Sequence, residues 1–290
     1  MKKMQLFAAA LIFAAGAAQA VAAQDAQAAP PIPYPAKDTY DAYVKYVHDI
    51  QAFFLSDANG KAFLYWEPFL DLVKAGRDDG VLLLAQVMRD KHPDEEYQVV
   101  KGTFRNPISA AYLEGRFDLV RRLIAFDRRM VRMHETFDDG DSREPLAEAV
   151  DKDDIKWAQT FIDEGADVNT TFVNEARNIG AIPENLLSVS RSKAMDDFLI
   201  GKGIKTVYTF TEPMDGSCND DNVRLRSDPG VQGKVIGKLM KGDTLAVLAT
   251  TYKMDVIDSN GGRWYKVGYK GRIGWVFSQF VECEALDEGV

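Results

Sequence analysis

Histidine and cysteine are scarce in this chain, with three of the first and two of the second among 290 residues. His48, His92 and His134 lie far apart in the sequence, outside the short intervals of a metal-binding set, so we expect no metal site. His48 flanks an apolar helical stripe and reads as a surface or packed residue. The chain also lacks a Gly-x-Ser-x-Gly elbow, a phosphate-cradling glycine-rich loop and a His-Glu-x-x-His pair. Nucleophilic catalysis needs a nucleophile, a base and an orienting group within mutual reach, and no such set can be assembled here. We therefore expect a non-catalytic protein without a cofactor. Carboxylates are abundant, as at Asp138, Asp139 and Asp141, at Asp151, Asp153 and Asp154, and at Asp220 and Asp221. None has the spacing of a calcium loop, and we read them as solvated loops.

Basic residues are in the minority, 35 Lys and Arg against 44 Asp and Glu, and the net charge of -9 argues against nucleic acid as a partner. Long apolar runs are missing too, apart from residues 6–18, which fall short of the roughly 18 to 20 needed to span a bilayer. Lys2 and Lys3 precede that run, and Ala18-Gln19-Ala20 or Val21-Ala22-Ala23 follows it, which is the order of an export signal. We expect residues 1–23 to be cleaved, leaving a protein of the bacterial periplasm with no membrane contact. In that compartment an even count of two cysteines, Cys218 and Cys283, suggests one disulfide.

Pro30, Pro31, Pro33 and Pro35 make residues 24–36 an extended linker. Tyr40, Tyr43, Val44, Val47, Ile50 and Phe54 then recur at helical steps, giving an N-terminal helix within residues 37–60. Residues 61–205 repeat a pattern of apolar helix, turn and second apolar helix, anchored at Pro68, Pro107, Pro145 and Asn185. Each copy is too small to bury its own apolar face, so the copies must stack. Asn106-Pro107-Ile108 with Gly115, and Pro145-Leu146 leading to Asp163-Glu164-Gly165-Ala166-Asp167-Val168-Asn169, resemble ankyrin repeats. The likeness implies a helical solenoid whose concave face holds a protein partner, with Tyr112, Glu114, Arg143 and Glu148 as candidate contacts.

After a linker at 206–217 the texture changes to short alternating segments between glycine-rich turns, a five-stranded pattern. Asn222-Val223-Arg224-Leu225-Arg226, Lys241-Gly242-Asp243, Arg263-Trp264-Tyr265 and Gly271-Arg272-Ile273-Gly274-Trp275-Val276 resemble a bacterial SH3 domain, placed at 218–283 and followed by an acidic tail at 284–290. The first and last strands end close together in such barrels, which is consistent with a disulfide between Cys218 and Cys283. This module carries ten Lys and Arg against seven Asp and Glu, whereas residues 24–217 come to about -11. Trp264, Tyr265, Tyr269 and Trp275 are candidates for an aromatic groove, with Arg224 and Arg272 supplying charge. The expected class is a multidomain chain, an ankyrin-like helical solenoid followed by a small SH3-like β-barrel. Its expected function is that of an adaptor, the solenoid binding a protein and the barrel binding peptidoglycan or a peptide. The alternative is a periplasmic inhibitor or immunity protein that blocks a toxin or hydrolase.

Overall fold

The computed structural model describes residues 32–56, 67–93, 97, 105–136, 142–172, 182–283 and 286. The expected export signal, most of the expected proline-rich linker, the acidic residues at 137–141 and the expected acidic tail apart from Leu286 lie outside the described residues. Among these residues no helix is long and apolar enough to cross a membrane.

The first helix, α1 (Tyr40–Ser56), buries Tyr43, Val47 and Ile50 as its periodicity predicts, and Tyr46 in addition. His48 is at the surface, beside Asp49. Four helical hairpins follow: α2 (Pro68–Lys74) with α3 (Asp78–Lys91), α4 (Pro107–Leu113) with α5 (Phe117–Phe126), α6 (Pro145–Asp151) with α7 (Ile155–Asp163), and α8 (Leu186–Val189) with α9 (Lys193–Gly201). Proline opens the first three, where its missing N–H would have had no partner in any case. The fourth departs from the expected register, because Asn185 is the N-cap of α8 and not its first helical residue. A left-handed Gly115 (φ 68°) turns the chain between α4 and α5, a conformation that costs glycine little. The first helices pack in series, α2 on α4, α4 on α6 and α6 on α8. Two-stranded β-pairs, β1 (Glu135–Thr136) with β2 (Ser142–Arg143) and β3 (Thr171–Phe172) with β4 (Glu184–Asn185), bridge successive hairpins.

A polar residue stands before each first helix and ties it to the segment leaving the same hairpin. Glu67 pairs with Arg105, and Asn106 Nδ2 donates to the carbonyls of Met130 (2.6 Å) and Met133 (2.9 Å). Glu144 Oε1 accepts from Thr170 Oγ1 (2.8 Å), and Asn185 Nδ2 donates to the Lys205 carbonyl (2.9 Å). Buried Glu144 also meets His134 Nε2 at 3.0 Å, and this carboxylate raises the imidazole pKa above its ordinary 6.5. The folded state thus holds a proton more tightly than the unfolded chain. The resulting stability is fully present below pH 6.5 and is lost as pH rises through the raised folded value. Thermal melts across pH 6 to 8 should therefore show a decline that is absent in His134→Gln; parallel profiles for the two proteins would refute the coupling.

The C-terminal part is a seven-stranded antiparallel sheet in the order β13 (Val281–Glu282), β5 (Val207–Cys218), β8 (Thr244–Thr251), β11 (Trp264–Tyr269), β12 (Arg272–Phe277), β6 (Val223–Arg226) and β7 (Val235–Leu239). The five expected strands are present as β6 (Val223–Arg226), β7 (Val235–Leu239), β8 (Thr244–Thr251), β11 (Trp264–Tyr269) and β12 (Arg272–Phe277). A small hairpin, β9 (Asp255–Ile257) with β10 (Asn260–Gly262), folds over one side. Two features of the sheet correct the sequence reading. Residues 207–217 are not a linker but most of β5 (Val207–Cys218), which pairs with β8 on both sides of a break between Thr209 and Met214. That four-residue excursion spoils the local alternation that would have marked a strand. The edge strand β13 (Val281–Glu282) sets Val281 opposite Cys218. Cys218 and Cys283 are each 1% exposed and are not joined by a disulfide; the Cys218 thiol lies 3.2 Å from the Asp220 carbonyl instead. Cys283 follows Glu282, the last paired residue of β13, and so does not stand directly across the ladder from Cys218. Leu286, within the expected tail, packs into the barrel core.

Candidate functional site

The first helices of the array offer little surface. Residues 107–112 of α4 and 145–150 of α6 are buried throughout, since each seven-residue helix is flanked by neighbours on both sides. Tyr112 is accordingly a core residue, its ring 6.0 Å from Trp157 and 5.8 Å from Phe161, and burial raises its hydroxyl pKa, assisted by Asp154 at 3.3 Å. Glu148 is buried as well. Glu114, the C-cap of α4, is exposed, and Arg143 stands on β2 opposite Glu135 with its side chain outside the described residues. The expected contacts on the array therefore do not converge on one exposed surface.

In the barrel, strand alternation separates the four aromatic candidates. Tyr265 and Tyr269 share a face of β11 with Val267, and Tyr265 and Val267 are part of the barrel core. Trp264 is on the other face, opposite Phe277, and Trp275 joins them across the register from Lys266. These three rings form a separate cluster under Val207, Ile257 and Phe280, leaving Trp264 3% and Trp275 8% exposed. The indole Nε1 of Trp264 donates to Asp255 Oδ2 at 2.6 Å, which holds the β9–β10 hairpin over the cluster. Hence no open aromatic groove contains all four rings. Trp275 and Trp264 act as the packed floor beneath the outer face.

What that face exposes is positive charge. Arg224 and Lys238 are directly opposite each other on β6 and β7, both exposed, and neither meets a carboxylate among the described residues. Like charges in direct cross-strand register disfavour the sheet by a few tenths of a kcal/mol up to about 1 kcal/mol. Arg226, opposite Trp275, turns its guanidinium to the Gly233 carbonyl (2.8 Å) and fixes the β6–β7 turn, while half-exposed Lys266 stands on the other side of Trp275. Arg272 is directed elsewhere, donating to the Ile236 carbonyl at 3.0 Å. Near it, Tyr269 donates to Asp243 at 2.6 Å, which together with the Met240 N–H and Lys270 holds that carboxyl below its usual range. Lys238 and Lys266 escaped the sequence reading, because their juxtaposition with Arg224 and Trp275 depends on register between strands.

Among the described residues no group of three histidine, cysteine or acidic side chains is arranged to hold a metal ion. No curated protein matches the chain. Residues 221–282, which hold β6 to β12 and this cationic face, match the family of bacterial SH3 domains.

Proposed function

We propose that this chain is an exported, non-catalytic adaptor: an ankyrin-like array that holds a protein partner, joined to an SH3-like barrel that binds an acidic ligand. Four stacked hairpins with β-paired connectors support the first half of that reading. The barrel half rests on the exposed, uncompensated pair of Arg224 and Lys238 beside the Trp275 floor. A sheet that keeps two cations face to face forgoes stability unless an anionic group is to be placed between them. Carboxylate-bearing peptidoglycan, or an acidic peptide, supplies such groups.

Co-sedimentation of the full chain with purified insoluble peptidoglycan, beside an Arg224→Glu, Lys238→Glu double variant, tests this. Removing two exposed contacts of this kind should weaken binding by roughly ten-fold, and added salt should weaken the wild type in the same direction. Equal binding by the two proteins would refute the assignment of the site. Absence of binding by both would leave the array's protein partner as the whole function and favour an inhibitor.

A further inference from the structure

We infer that the barrel is the closing cap of the helical array, so that the last hairpin depends for its fold on Tyr252 of the barrel. Repeat arrays bury their apolar faces only between neighbours, and a terminal repeat needs a cover. Here α8 is a single turn of four residues and α9 has nine, lengths that do not sustain helices without tertiary packing. Their inner side chains, Leu186, Leu187, Met195 and Leu199, are nevertheless buried. The cover comes from the barrel. Tyr252, just past the end of β8, is 4% exposed and belongs to the apolar core of the array, not to that of the sheet on which it is carried. Tyr208 of β5 bridges the two cores, edge-on to Tyr252 (6.0 Å) and to Phe210 (5.4 Å), and Ile182 of the array packs on the barrel core.

Polar contacts fix the orientation of the joint. Lys253 pairs with Asp196 of α9, and Ser188 of α8 donates to the Tyr252 carbonyl at 3.4 Å. Arg263 donates to the Thr251 carbonyl at 3.2 Å and faces the charge of Glu184. One oxygen of Asp196 and one of Glu184 are buried without a hydrogen bond, so withdrawing the barrel cations would leave both carboxylates uncompensated. No slack separates the units either, since Ile204 is already buried and Val207 already begins β5. Folding and ligand binding are therefore linked across the joint: whatever binds the barrel also protects the array, by mass action.

Hydrogen exchange of the full chain tests this. Tyr252→Ala should speed exchange in α8 and α9 by at least about ten-fold while β6, β11 and β12 keep their protection. Val256→Ala, at an exposed position on the adjacent hairpin, should change neither. Lys253→Ala keeps the aromatic plug and should give the same pattern at smaller amplitude, which preserves the test if Tyr252→Ala fails to fold. Unchanged exchange in α8 and α9 in both Tyr252→Ala and Lys253→Ala, with the barrel intact, would overturn the inference.

Discussion

Replacing Gly274 by alanine is expected to destabilise the barrel by about 3 kcal/mol or more, at the upper end for an overpacked interior. A Cβ at this position would lie 2.7 Å from Cγ and Cδ1 of Leu225 and 2.8 Å from the Arg226 carbonyl oxygen. Leu225 is wholly buried and the carbonyl is part of β6, so neither can retreat without moving a strand. The affected contact is the one between β12 and β6, which carries the cationic face. Gly271 provides the internal comparison: its φ of 75° disfavours a side chain, yet nothing is within 4 Å of its Cβ position, and alanine there should cost only about 1 kcal/mol. Urea unfolding followed by tryptophan fluorescence should separate the two. A Gly274→Ala protein within 1 kcal/mol of wild type would contradict the packing described.

The second large effect is expected at Asn106. Its amide donates to two carbonyls, Met130 and the part-buried Met133, while its Oδ1 accepts from the Ile108 N–H at 2.9 Å, and Asn106 itself has no exposure to solvent. Asn106→Ala strands the Ile108 N–H and the Met133 carbonyl, each worth about 1 to 3 kcal/mol when buried unpaired, while the Met130 carbonyl keeps only the Met133 N–H at 3.3 Å. A net loss of about 3 kcal/mol follows. Asn106→Asp separates the cap from the staple, because it retains the acceptor for Ile108 but sets a carboxylate against two carbonyl oxygens. It should be no more stable than the alanine variant. An aspartate protein as stable as wild type would mean that capping alone matters and that the bonds to the connector contribute nothing.

These residues also mark where the sequence was legible. Pro68, Pro107 and Pro145 announced the starts of α2, α4 and α6 because the constraint is local: a fixed φ and an absent donor suit the first helical turn. Asn185 misled by one residue, since a cap and a first-turn proline look alike to a spacing argument. The five strands β6, β7, β8, β11 and β12 were legible through alternation and turn glycines. β5 was not, because its pairing with β8 is interrupted at 210–213 and only that distant partner makes it a strand. Tyr112 and Glu148 looked like surface residues of a helix, and they are buried because the short first helices are flanked on both sides.

The sequence by itself determined the division into a helical part and a sheet part, the starts of the first three hairpins and five strands of the barrel, β6, β7, β8, β11 and β12. Each follows from backbone restriction and hydrophobic period within a few neighbouring residues. Only the tertiary structure decided which aromatic rings share a face, that Arg224 confronts Lys238, that Cys218 and Cys283 remain thiols and that Tyr252 plugs the array. Each of these depends on a register or contact between segments distant in sequence, where a shift of one residue would reverse every face and no local preference opposes it.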